Sequence, residues 1–183
     1  MKLYLARHGQ TDWNVEHRAQ GRTDVSLNKI GKKQAEQLRE NIKDIKFDAV
    51  YASPLKRAAE TAQIAIGDRN EIVYDDRLVE RSFGDFEGKV LPSFVQPFSG
   101  IDIDDPELNE IPNGVETVKN MLGRAETFID DLKQKYNDEA NILIVTHGSF
   151  SKAIHFYVRG FGGIASWRDF HLENGEIKEY EVR

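Results

Sequence analysis

Ile142-Leu143-Ile144-Val145 is the clearest strand in this chain, an uninterrupted apolar run of the kind that a sheet buries on both faces. Short runs at Leu3 to Ala6, Phe47 to Ala52 and, more weakly, Ile72 to Tyr74 share that character and alternate with amphipathic segments. The alternation predicts an α/β domain. Residues 29–42 read as a helix with Ile30, Ala35, Leu38 and Ile42 on one face and Asn28 as its cap. Ser53-Pro54 reads as the N-cap and first residue of a second helix carrying Ala58, Ala59, Ala62 and Ile66. A long helix is expected after Gly114, with Val118, Met121, Leu122, Ala125, Phe128, Ile129 and Leu132 on one stripe, and another from Phe150 to Val158. The C-terminus reads as a hairpin, Asp169–Glu173 and Glu176–Val182, turned by Asn174-Gly175.

A length of 183 residues suits one domain spanning 1–183. The formal charge of −6 speaks against a nucleic-acid binder, whose phosphate-tracking surface needs excess Lys and Arg. With no cysteine, thiolate catalysis, disulfides and cysteine-ligated metals are excluded. No apolar run approaches a membrane span, so no membrane association is expected and the cytoplasm is the default compartment. One segment, 90–113, has no clear period. It holds four of the five prolines, Phe94, Phe98 and many acids, and reads as an inserted lid.

Three strand candidates end in residues suited to an anion. The first runs into Arg7-His8-Gly9, the second leads through Ser53-Pro54-Leu55-Lys56 to Arg57, and the last delivers Thr146-His147-Gly148. Ligands of open α/β sheets bind outside the carboxyl ends of the strands, so these segments converge on one pocket. Singly, His147 reads as an ordinary hydrogen-bonding residue and Arg57 as a solvated charge; their joint occurrence points to a site.

The run Arg7-His8-Gly9-Gln10-Thr11-Asp12-Trp13-Asn14 resembles the opening of the histidine phosphatase superfamily, which includes the cofactor-dependent phosphoglycerate mutases. The resemblance continues through Gln20-Gly21, Leu27-Asn28, Gly31, Gln34-Ala35, Ser53-Pro54-Leu55, Arg57-Ala58 and Thr61-Ala62. It recurs at Leu78, Glu80, Phe83-Gly84, Glu87-Gly88, Pro112, Gly114, Glu116 and Thr146-His147-Gly148. It implies a three-layer α/β/α sandwich with a mostly parallel central sheet and a phosphomonoester phosphatase acting on a small phosphorylated metabolite. His8 is then the nucleophile, with Arg7, Arg57 and His147 around the phosphoryl oxygens and Glu80 as a partly buried general acid and base. Asn14, Gln20, Gly21, Arg81 and Gly148 are implied substrate-binding positions, and Gly9 is expected to let the backbone approach the phosphate.

Neither a metal nor another cofactor is implied. His17, His155 and His171 read as structural or surface residues. A bisphosphoglycerate-dependent mutase is the alternative, and a non-catalytic phospho-ligand binder a third reading that retention of His8, Arg7, Arg57, Glu80 and His147 disfavours. Against the mutase stand an acidic lid and the absence of Lys or Arg between Lys89 and Lys119.

Overall fold

A computed structural model describes residues 1–90, 100–160 and 164–182. Strand β4 (Asn141–Thr146) lies between β1 (Lys2–Arg7) and β2 (Ala49–Ala52), both parallel to it. Ile142, Leu143, Ile144 and Val145 are wholly buried, which is why the run carries no polar alternation. Strand β3 (Ile72–Tyr74) extends the sheet in parallel beside β2, and β5 (Ile177–Glu181) closes it antiparallel to β1. The order is β3-β2-β4-β1-β5.

Successive side chains of a strand point to opposite faces, and here each face has its own core. Leu3, Leu5, Ile142 and Ile144 pack with Phe128 and Leu132 of α4 (Val118–Lys135) and Phe150 and Ile154 of α5 (Gly148–Arg159). Tyr4, Ala6, Leu143 and Val145 pack with Leu38 of α2 (Lys29–Asn41), which follows the single-turn α1 (Asp12–Val15), and with Ala58, Ala62 and Ile66 of α3 (Lys56–Ile66). The result is the expected three-layer sandwich. The chain leaves β1 toward one helical layer and β4 toward the other, which opens a crevice at their carboxyl ends. There Arg7 pairs with Thr146, and the ladder runs on through His8 N–H to the Thr146 carbonyl (2.9 Å) and Ser53 N–H to the Val145 carbonyl (3.0 Å).

Several local expectations need correction. Ile30 is exposed; the buried stripe of α2 runs through Gly31, Ala35 and Leu38 to Ile42. Gly31 lies on that stripe because α2 rests directly on the chain after β1. A Cβ at Gly9 would run into the Gly31 carbonyl, and one at Gly31 into that of Gln10. In this structure the missing side chain of Gly9 thus serves helix docking. Helix α3 starts at Lys56, not at Pro54, and its first amide is met by Asp24 Oδ1 (2.7 Å) because the Ser53 hydroxyl is engaged elsewhere. The terminal hairpin is absent. Asp169 ends α6 (Ile164–Asp169), and only the second half forms a strand. The Leu172 carbonyl accepts from Arg7 instead. Phe94 and Phe98 lie outside the described residues. The described part of the acidic segment packs Ile103, Leu108 and Ile111 against Phe83, Phe86 and Val115.

Because Gly31 meets backbone rather than a movable side chain, Gly31→Ala is expected to destabilise the protein by about 1–3 kcal/mol. Urea denaturation would read this; an unchanged midpoint would show that α2 is not held by close backbone approach.

Candidate active site

His8 follows β1 and is almost fully buried. Its Nδ1 lies 2.7 Å from the carbonyl oxygen of Gly9. A carbonyl can only accept, so Nδ1 carries the proton and Nε2 keeps its lone pair. The surrounding backbone is tightly fixed. Gly9 N–H donates to Thr61 Oγ1 (3.0 Å), whose hydroxyl donates to the Arg57 carbonyl (2.6 Å). On the other side, Asn174 Nδ2 donates to the His8 carbonyl (3.0 Å), and Gly175 N–H points at the carbonyls of Arg7 (3.1 Å) and His8 (3.2 Å). The Asn174-Gly175 turn therefore fastens the end of β1.

Arg57 is wholly buried, yet among the described residues it has no carboxylate partner. Its Nη2 donates to the Gly21 carbonyl (2.7 Å) and its Nη1 to that of Thr23 (2.9 Å). Glu87 shapes that loop. It accepts from Arg22 N–H (3.0 Å) and Phe83 N–H (3.2 Å) through Oε1, and from Thr23 N–H (2.9 Å) and Oγ1 (2.7 Å) through Oε2. Arg7 donates from Nη1 to the Leu172 carbonyl (2.7 Å) and lies across Gly148, where a Cβ would stand 3.3 Å from its Cζ. The Nε atoms of both arginines are buried without a hydrogen-bond partner among the described residues. Burial lowers the pKa of Arg57 to about 10, so it stays cationic near neutrality.

His147 follows β4, its ring centroid 5.2 Å from that of His8. Its Nε2 lies 2.7 Å from Ser53 Oγ, which itself accepts from Leu55 N–H (3.3 Å). His147 Nδ1 is buried with no partner among the described residues, and a Ser53 hydroxyl that donates to Nε2 would place the ring proton there. Burial, then the charge of Arg57, holds the pKa of both His8 and His147 well below 6.5. Glu80 is buried as well, and its carboxylate caps the start of α5. It accepts from Arg81 N–H (2.8 Å), Phe150 N–H (3.0 Å) and Ser149 N–H (3.1 Å).

A cleft of about 450 Å³ opens over this group, a volume within the range of small-molecule sites. Arg7, His8, Arg57 and Glu80 line it, with Asn14, Gln20, Gly21 and Gly148; His147 lies beneath, fully buried. Asn14 Oδ1 accepts from Thr11 N–H (3.0 Å) and Gln20 Oε1 from Thr11 Oγ1 (2.9 Å), so Thr11 orients both amides. Arg81 is placed differently. It is buried outside the cleft lining, with Nε on the Glu116 carbonyl (2.8 Å), Nη1 on Asp104 (2.8 Å) and Nη2 on the Ile103 carbonyl (2.6 Å). His17 and His171, read from sequence as peripheral, line the cleft, as do Trp13, Phe83 and Lys152. Lys152 follows Gly148 by four residues, a spacing that puts both on one helical face and was the available signal. His155 is structural, stacked on Phe170 with centroids 3.8 Å apart and bonded to Tyr180 (2.8 Å).

The family model described as histidine phosphatase superfamily (branch 1) matches residues 3–183. The uncharacterised phosphatase PhoE of Bacillus subtilis is 37% identical, with 97% of this chain and 93% of that protein covered. The solved structure of Bacillus stearothermophilus YhfR superposes with a TM-score of 0.89 at 30% identity, covering 100% of this chain and 91% of that one. The structure of phosphoserine phosphatase from Entamoeba histolytica, in complex with 3-phosphoglyceric acid, gives a TM-score of 0.82 at 29% identity, with 97% and 89% covered.

Two buried neutral imidazoles make stability depend on pH. Below pH 6.5 the unfolded chain takes up protons that folded His8 and His147 refuse, so their contribution is complete above about 6.5 and is lost as pH falls below it. The slope approaches roughly 1.4 kcal/mol per pH unit for each histidine. Urea denaturation between pH 7 and 5 should give a shallower slope for His8→Gln than for the natural protein. Equal slopes would show that His8 is not held neutral.

Proposed function

The chain belongs to the histidine phosphatase superfamily, branch 1, and on that premise we propose that it hydrolyses small phosphomonoesters through a phosphohistidine on His8, without a metal. The observation that carries this reading is the state of His8: neutral, protonated on Nδ1 by its bond to the Gly9 carbonyl, and flanked by the guanidiniums of Arg7 and Arg57. Such an imidazole needs orientation rather than deprotonation in order to attack.

In the first step Nε2 attacks phosphorus in line, an N–P bond forms, and the ester P–O bond breaks. Arg7, Arg57 and the Nδ1–H of His147 hold the three non-bridging oxygens through charge-assisted bonds, which is where phosphoryl transfer gains most. Glu80 gives its proton to the leaving alkoxide. In the second step Glu80 takes a proton from water, whose oxygen attacks phosphorus, and inorganic phosphate leaves as His8 recovers its lone pair. Asn14 and Gln20, their amide oxygens turned toward Thr11, offer N–H groups to the same anion. Gly21 acts through its carbonyl on Arg57, and Gly148 through the room it gives Arg7. Hydrolysis is favoured over return of the group to substrate because no Lys or Arg occurs between Lys89 and Lys119, the segment where the family's mutases place cations for the substrate carboxylate.

Turnover of p-nitrophenyl phosphate should persist in EDTA and pass through an acid-labile phosphoenzyme that His8→Ala abolishes. A strict need for added metal, or label on a serine or aspartate, would sink the mechanism; rapid exchange between 3-phosphoglycerate and bisphosphoglycerate would make the protein a mutase. For the carboxylate, Glu80→Gln is expected to slow alkyl phosphates by about 10²–10⁴-fold and p-nitrophenyl phosphate much less, because only a poor leaving group needs the proton. Uniform slowing across a leaving-group series would remove Glu80 as the general acid.

A further inference from the structure

Two cations of the cleft wall are left unused by the phosphoryl chemistry, Arg18 and Lys152, and Arg18 is paired with Glu16. Lys152 stands on α5, half-buried, beside Ser149 and one helical turn beyond Gly148, so its Cα lies about 6 Å further along the axis than the glycine on which Arg7 rests. Side chains on a helix lean toward its N-terminus, which carries this one back over the cleft. Its Nζ donates to the Trp167 carbonyl (2.9 Å) and sits 6.0 Å from the centroid of the Trp167 ring. Among the described residues it forms no ion pair, while the nearby Asp104 is taken by Arg81 (2.8 Å) and Asp102 by Arg168 (2.6 Å). A half-buried ammonium with one neutral acceptor has donors to spare and no charge partner.

We propose that Lys152 binds a carboxylate of the substrate, so that the cleft selects small phosphomonoesters whose leaving group carries an acid near the ester oxygen. This rests on the reading of the cleft as a phosphatase site and adds the class of leaving group. The Trp167 carbonyl holds the ammonium in place, so little side-chain freedom remains to be lost on binding. The cleft volume, far larger than one phosphate requires, leaves space for such a leaving group between His8 and Lys152. The other cleft-lining residue able to repel it is Glu173, on the side of His171, and Glu80, its carboxylate engaged by three amides, faces the ester oxygen.

The test compares 3-phosphoglycerate with glycerol 3-phosphate, which differ by a carboxylate against a hydroxymethyl group. Lys152→Met should lower kcat/KM for the acid by about tenfold to a hundredfold, chiefly through KM, and at least tenfold more than for the alcohol. Lys152→Arg should restore most of the difference, which a merely structural lysine would not do. In parallel, calorimetry on His8→Ala should show tighter binding of the acid than of the alcohol, and on His8→Ala/Lys152→Met no such preference. Equal losses on both substrates, or no loss, would overturn the proposal. If the natural protein turns over neither ester nor p-nitrophenyl phosphate while the Lys152-dependent binding preference remains, the hydrolytic reading fails and this one stands. Turnover with no preference in binding or kinetics does the reverse.

Discussion

The buried charge of Arg57 sets the terms for everything around it. A guanidinium removed from water ordinarily demands a carboxylate, and this one has only the carbonyls of Gly21 and Thr23 among the described residues. With Arg7 beside the same two imidazoles, the folded protein holds an excess of positive charge in a place where it is expensive. Burial, reinforced by that excess, keeps His8 and His147 unprotonated, and N–H groups around them are left without partners among the described residues. An uncompensated cationic pocket is poor for stability and well suited to a dianion, whose binding would offset the missing carboxylates and stabilise the folded state by mass action.

Holding that charge requires a frame, and two glutamates divide the work. Glu87 spends both carboxylate oxygens on the loop that presents carbonyls to Arg57, and a side chain at Gly21 would collide with it. Glu80 also meets backbone amides, but those of Arg81 and the first turn of α5, and it faces the cleft, where Glu87 does not. Their sequence contexts are alike, each a carboxylate near a glycine. Only their placement separates the carboxylate that shapes a loop from the one that lines the cleft.

This explains which features could be read in the sequence. A strand buried on both faces must be apolar throughout, so β4 and its neighbours declared themselves, and the residues that follow them had to meet at one edge of the sheet. Asn28 was legible as a cap because its side chain serves the nearest amide, Gly31 N–H at 2.9 Å. Ser53 looks like a cap in the sequence, but its hydroxyl bonds His147, 94 residues away, and Asp24 meets the first amide of α3 in its place. Asn174-Gly175 has the composition of a turn, but its partner is the backbone of His8 rather than a second strand. Local chemistry predicts local partners. Wherever a polar group is claimed by a distant segment, the pattern along the chain gives the wrong use for the right residue.

The acidic segment shows the same limit in its electrostatics. Counted as sequence, its aspartates form a wall that repels anions. In the fold, Arg81 takes Asp104 and Arg168 takes Asp102, so two of the five acids in residues 100–113 are met by cations that lie outside the segment. Conversely, Lys152 lines the cleft with no carboxylate partner among the described residues. The sign of the field that a leaving group meets therefore depends on which charges are already paired, not on how many each segment carries. Near His8 that field is positive through Arg7 and Arg57, and positive again one turn along α5 at Lys152, with the carboxylate of Glu80 on the same cleft wall. Such an arrangement suits an ester bearing an anion at each end and an oxygen in the middle that needs a proton.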